Sequence, residues 1–154
     1  MKNLKIIFIA LLLTNCGFKV IDKSKLNNFS IAEISTQGDK RVNFNLKNKL
    51  NFASNEDEKR LIKISLETIK NKSVKERNIK NEITKYQIKI KIIVTCYEIS
   101  SGKEIQFVKS DTGDYSVSSQ YSQTINNEKK LVQLLTDYLA EQILEELTIK
   151  INDL

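Results

Sequence analysis

Residues 86–97 read Tyr86-Gln87-Ile88-Lys89-Ile90-Lys91-Ile92-Ile93-Val94-Thr95-Cys96-Tyr97. Tyr86, Ile88, Ile90, Ile92, Val94 and Cys96 share one parity, while Gln87, Lys89, Lys91 and Thr95 share the other. Successive side chains of a strand point to opposite faces, so this alternation predicts a long β-strand with one apolar and one wet face. A sheet built from such strands needs a cover over one face only.

The neighbouring segments supply both the sheet and its cover. Downstream, Ser101-Gly102 marks a turn, with Gly102 able to take a positive φ, and a further strand starts at Glu104. The two strands on either side of that turn are expected to pair antiparallel. Upstream, residues 61–70 alternate as well, with Ile62, Ile64 and Leu66 opposite Lys63, Ser65 and Glu67. Residues 28–35 are β-prone. Between them Val42, Leu46, Leu50 and Ala53 recur at helical spacing after Asp39, a plausible N-cap, and the charged cluster 55–60 closes that helix. Over residues 127–150, Val132, Leu135, Leu139, Ile143 and Leu147 recur at spacings of three and four, broadened by Leu131, Leu134 and Leu144, which predicts a second, longer helix. The order is β-α-β-β-β-α. It implies an α+β two-layer sandwich, with both amphipathic helices on one face of a four-stranded mixed sheet. The face carrying Lys63, Glu67, Gln87, Lys89 and Lys91 is left for water or for a partner.

The N-terminus carries a different message. Lys2 and Lys5 precede an apolar run at residues 6–13, followed by Leu13-Thr14-Asn15-Cys16-Gly17. That is the layout of a signal peptide, and the run is shorter than the roughly 20 residues a spanning helix needs. Leu13-Thr14-Asn15-Cys16 resembles a lipobox, so residues 1–15 are expected to be removed and Cys16 acylated, leaving residues 16–28 as a tether and 29–154 as one domain. A diacylglyceryl thioether plus an N-acyl chain gives the multiple lipid anchors that stable attachment requires. Losing Lys2 and Lys5 with the signal takes the formal charge from +6 to +4. This mild excess favours anionic partners without naming one. With Cys16 acylated, Cys96 is a lone thiol on the apolar face of its strand, where cysteine acts as a small hydrophobe.

Catalytic options are few. The chain has no histidine, which removes the usual acid/base catalyst and the commonest metal ligand. Asp111-Thr112-Gly113 matches the tripeptide of aspartic proteases, but Lys109-Ser110 precede it and Asp114 follows, so a charged turn between strand pieces is expected instead. Residues 116–124 are rich in Ser and Thr with no base to activate them, and read as a loop or edge strand. The strongest local bias lies between the second and third strands, where Lys70, Lys72, Lys75, Arg77 and Lys80 gather with Glu76 as the one acid before Glu82. At a hairpin tip these cations could clamp phosphates or carboxylates, Arg77 bidentately and the lysines as point charges, or they could keep an ordinary loop solvated. Nucleic acid is a poor partner for an exported lipoprotein, and the loop has no stacking aromatics.

Taken together, Cys16-Gly17-Phe18-Lys19, the β-α-β-β-β-α order with a basic hairpin after strand two, Tyr86-Gln87 opening a long strand, Asn127-Glu128 at the head of the last helix and Ala140-Glu141-Gln142 within it resemble the LPS-assembly lipoprotein family LptE. The resemblance covers the mature chain in motif order more than in identity. It implies an outer-membrane, periplasm-facing lipoprotein, not an enzyme and without cofactor, that lodges in the LptD β-barrel and helps deliver lipopolysaccharide to the outer leaflet. It also implies lipopolysaccharide binding by the basic hairpin, through Lys72, Lys75, Arg77 and Lys80, with the family's basic hairpin residue falling on Arg77-Asn78. The hairpin is about two residues longer than in the family pattern. A second basic position expected just before the last helix falls on Thr124 or Ile125, unless Lys129 or Lys130 takes its place. A free-standing periplasmic binding or inhibitor lipoprotein would use the same architecture without a barrel.

Overall fold

The computed structural model describes residues 29–53 and 60–152. The signal peptide, Cys16, the tether and most of the charged cluster after the first helix therefore lie outside the described residues. The elements are β1 (Ser30–Gly38), α1 (Lys40–Ala53), β2 (Leu61–Arg77), β3 (Ile83–Glu98), β4 (Glu104–Ser116) and α2 (Tyr121–Asn152). The strands form one sheet in the order β1-β2-β3-β4. β1 lies parallel to β2, and the other two pairs are antiparallel, so the sheet is mixed.

Alternation decides which face is covered. Ile62, Ile64 and Leu66 of β2 and Ile88, Ile90, Ile92, Val94 and Cys96 of β3 are buried on one side. Val42, Leu46 and Leu50 of α1 and Val132, Leu135, Leu139, Ile143 and Leu147 of α2 complete the same core, so both helices cover the same face as the patterning requires. Burial pushes the Cys96 thiol up to about 11, which keeps it protonated at neutral pH. Gly102 turns β3 into β4 at φ 70°.

The β1–α1 junction is the tightest part of the chain. Gly38 has φ 101°, and a Cβ placed there would lie 1.9 Å from the Thr68 carbonyl oxygen. One residue later Asp39 caps α1, its Oδ1 accepting from the N–H groups of Arg41 at 3.1 Å and Val42 at 3.0 Å. The carboxylate also pairs with Lys70 Nζ at 2.6 Å. Burial of this carboxyl disfavours its charge, but Lys70 and the two N–H groups outweigh it and hold Asp39 below the usual range. Inside the junction the buried Thr68 hydroxyl donates to Asn43 Oδ1 at 2.9 Å.

Four elements differ from expectation. β1 continues to Gly38, because pairing with β2 runs as far as Gly38↔Thr68. β2 runs on to Arg77, well past residue 70. Asp111-Thr112-Gly113 is not a turn but lies within β4, opposite Ile90, Lys89 and Ile88. Gly113 suits the strand because α2 closes over it, with Leu131 Cδ1 2.6 Å from where a Cβ would sit. α2 starts at Tyr121, its first turn tied down by Thr124, whose Oγ1 accepts from the Ser118 N–H at 2.9 Å. Leu134, which the apolar spacing placed with the core, is 64% exposed.

Gly38→Ala should lower stability by at least about 2 kcal/mol, since strain at positive φ adds to a clash with rigid backbone. Gly102→Ala, where the nearest atom is the Tyr97 hydroxyl at 3.7 Å, should cost less. Urea unfolding of both variants measures the contrast, and equal losses would contradict it.

Candidate functional site

β2 and β3 outrun the layer that covers them. Every residue from Asn71 to Arg77 is exposed, yet the ladder continues from Asn71↔Lys89 to Arg77↔Ile83. β4 still flanks β3 as far as Lys85↔Ser116, so the basic segment is the edge of a three-stranded sheet up to Glu76 and a short two-stranded arm beyond it, with irregular register around Glu76. Its tip is a built turn. Asn78 Oδ1 accepts from the N–H groups of Lys80 and Glu82, both at 2.9 Å, and Asn78 Nδ2 donates to Glu82 Oε2 at 2.7 Å. Asn81 takes φ 62°, a conformation asparagine tolerates better than most residues. Arg77 Nη1 donates to the Asn81 carbonyl at 2.7 Å, and Ile79 stands fully exposed at the end.

The five cations do not gather at a loop tip, contrary to the sequence-based expectation. Lys70 sits beside the helix cap, on Asp39. Lys72 sits before the arm, 2.6 Å from Glu128 Oε2 at the side of α2. Its ammonium lies 4.3 Å from the ring centroid of Tyr86 and 5.4 Å from that of Tyr115, and these two rings stack at 5.7 Å. The Tyr115 hydroxyl donates to the same Glu128 oxygen at 2.7 Å. Lys75 lies on the open side of the sheet, 3.9 Å from Asp114 Oδ2. Arg77 and Lys80 flank the turn, and Lys80 makes no side-chain ion pair among the described residues. The cations available to a ligand are therefore Lys75, Arg77 and Lys80, whereas Lys72 joins the sheet to α2.

Lys72, Tyr115 and Glu128 shift one another's proton affinity. Burial disfavours charge on both Lys72 and Glu128, but their mutual hydrogen bond and that of Tyr115 prevail, raising the lysine and lowering the carboxyl. Tyr115 is raised by burial and by the neighbouring carboxylate. The sequence signalled Glu128 only as part of an Asn-Glu pair. Its role needs the crossing of α2 over β2 and β4, which a linear pattern does not show.

The remaining candidates separate. Asp111 and Asp114 pair with Ile90 and Gln87, so they point to opposite faces of the sheet and do not form a dyad. Thr124 is buried in the first turn of α2. Lys129 and Lys130 line a groove of about 490 Å³ together with Arg41, Gln133, Leu134 and Asp137. Among the described residues no cluster of metal-ligating side chains occurs, and no helix is long and apolar enough to cross a membrane.

The chain matches no protein-family model and no curated protein sequence. Solved structures do match. A lipoprotein from Caulobacter crescentus superposes with a TM-score of 0.58 at 12% identity, over 85% of this chain and 95% of that one. Rare lipoprotein B from Shewanella oneidensis gives 0.58 at 12% identity, over 78% of this chain and 97% of its own. Lipoprotein B from Nitrosomonas europaea gives 0.53 at 13% identity, over 88% and 93%. The fold is one that solved lipoproteins share. At these identities the likeness concerns the chain path and transfers no site residue.

The Lys72–Glu128 pair has a defined pH window. Glu128 lies below its ordinary value of 4.5, so its contribution is present above that pH and fades as acid protonates it in the fold. Lys72 lies above its ordinary 10.5, so its contribution is complete below that pH and fades in strong base. Glu128→Gln should cost on the order of 1 kcal/mol at neutral pH, given the partial exposure of the pair. The gap from wild type should narrow as urea unfolding is repeated from about pH 7 to about pH 3. A gap independent of pH would mean that the pair is not acting through its charges.

Proposed function

We propose that this chain is a lipid-anchored outer-membrane lipoprotein that lodges in an LptD-like LPS-assembly β-barrel and helps pass lipopolysaccharide to the outer leaflet. The observation that carries this reading is the basic arm. Lys75, Arg77 and Lys80 are held exposed along the outer end of the β2–β3 hairpin, on a fold that solved lipoproteins share. Phosphorylated glycolipid suits these residues, because Arg binds phosphate through two parallel hydrogen bonds and lysines add point charge. Ile79 at the tip offers apolar surface to the acyl region beside those phosphates.

The open sheet face supports the barrel part of the proposal. It presents Lys63, Ser65, Glu67, Lys89, Lys91, Thr95, Gln106, Ser110 and Thr112 around an apolar strip of Ile69, Ile93, Tyr97 and Val108, a mainly polar surface suited to a polar lumen. Cys16 would supply the anchor through its acyl chains, and the chain would act by binding and bracing, with no chemical step of its own.

Two experiments test this. Wild-type protein extracted in detergent should carry palmitate and co-purify in stoichiometric complex with a much larger β-barrel, while Cys16→Ser should carry no label. Labelled protein recovered alone would favour a free-standing periplasmic binding lipoprotein.

Binding of lipopolysaccharide should weaken by at least tenfold, roughly 1.4 kcal/mol, when Lys75 and Arg77 are both replaced by Asp. Affinity of the wild type should also fall with added salt, because charges near the surface are screened over about 8–10 Å at physiological ionic strength. Equal affinities for the two proteins would remove the arm from the binding site.

A further inference from the structure

α1 and α2 run side by side in the same direction, and their contacts repeat once per turn. Asn45 Nδ2 donates to Gln133 Oε1 at 2.7 Å. One turn on, Lys49 Nζ pairs with Asp137 Oδ1 at 3.0 Å. Each of these rungs matches a donor with an acceptor. One turn back, the same register sets Arg41 against Lys129, with Lys130 beside it, in the groove the three residues line.

That rung is mismatched. Three cations line it, and the groove's one acid, Asp137, is already taken by Lys49 and by Gln133 Nε2 at 2.9 Å. Among the described residues the side chains of Arg41, Lys129 and Lys130 make no ion pair or hydrogen bond. Like charges facing one another across a groove repel, so an anion seated between them gains attraction from all three and relieves their repulsion.

We propose that the head of this groove is a binding site for a phosphate monoester. A dianion answers a surplus of three cations better than a single carboxylate does, and the Arg41 fork fits two of its oxygens. The exposed Leu134 forms an apolar wall next to the cations. An amphiphile could lay its first methylenes on that wall, so a lipid headgroup is one source of the phosphate and a soluble phosphate is the other. The site lies on the helix layer, whereas the arm is an extension of the sheet. It does not depend on the barrel reading.

The test uses the full-length protein in neutral detergent, titrated calorimetrically with inorganic phosphate, glycerol phosphate and short-chain phosphatidic acid, with short-chain phosphatidylcholine as control. In protein already carrying Lys75→Gln and Arg77→Gln, which removes the arm's own phosphate contacts, replacing Arg41, Lys129 and Lys130 together by Gln should weaken binding of the phosphates at least tenfold, and Lys47→Gln should leave it unchanged. Tighter binding of phosphatidic acid than of glycerol phosphate supports a lipid source, and equal binding supports a soluble one. Without ligand the triple variant should melt at or above the wild-type temperature, because repulsion has been removed. Arg41→Glu should melt higher still, by pairing with Lys129, and should lose phosphate binding. Phosphate binding that survives in the triple variant, or a fall in its melting temperature, would overturn the site.

Discussion

β3 buries Ile88, Ile90, Ile92, Val94 and Cys96 on one side and leaves Lys89 and Lys91 in water on the other. Each large aliphatic taken out of water contributes about 1.5–3 kcal/mol, so the row cannot be left open, and a one-residue slip in pairing would expose it entirely. The register with β2 and β4, the placement of both helices on one face and the polar character of the other face all follow from that row. The lysines between the isoleucines make the asymmetry irreversible, since turning the strand over would bury unpaired ammonium groups.

That constraint also explains what a linear reading recovers. Wherever an element has one buried and one wet side, its period is printed in the residues, as in Ile62-Ile64-Leu66, in Val42-Leu46-Leu50 and in Val132 to Leu147. The element order, the helix cap at Asp39 and the antiparallel hairpin around Gly102 were legible for the same reason, each resting on a local pattern or a single residue type.

Beyond those zones the pattern disappears while the structure does not. Asn71 to Arg77 is exposed on both faces, so no alternation marks it, and it stays extended because β3 offers a partner for its backbone. The first turn of α2 is held by Ser118 and Thr124 rather than by apolar spacing. Gly113 looks like a turn glycine until Leu131 is placed above it. The basic cluster was legible as a composition and not as a geometry. Lys70 and Lys72 differ from Lys75 and Lys80 only in which partners the fold brings near, Asp39 and Glu128 in the first two cases. The groove at Arg41 depends on the pairing of α1 with α2, which links residues 88 apart in the chain.

A single hairpin thus crosses from a dry interior to full solvent, and its cooperativity changes along the way. Amides near Leu66 and Val94 can exchange their hydrogens only when the sheet itself opens, whereas those beyond Glu76 and before Lys85 are covered by one ladder with water on both sides. The Lys72–Tyr115–Glu128 cluster stands at the boundary between these regimes. It pins the hairpin to α2, so that fraying of the outer turn stops there while the body behind it stays folded.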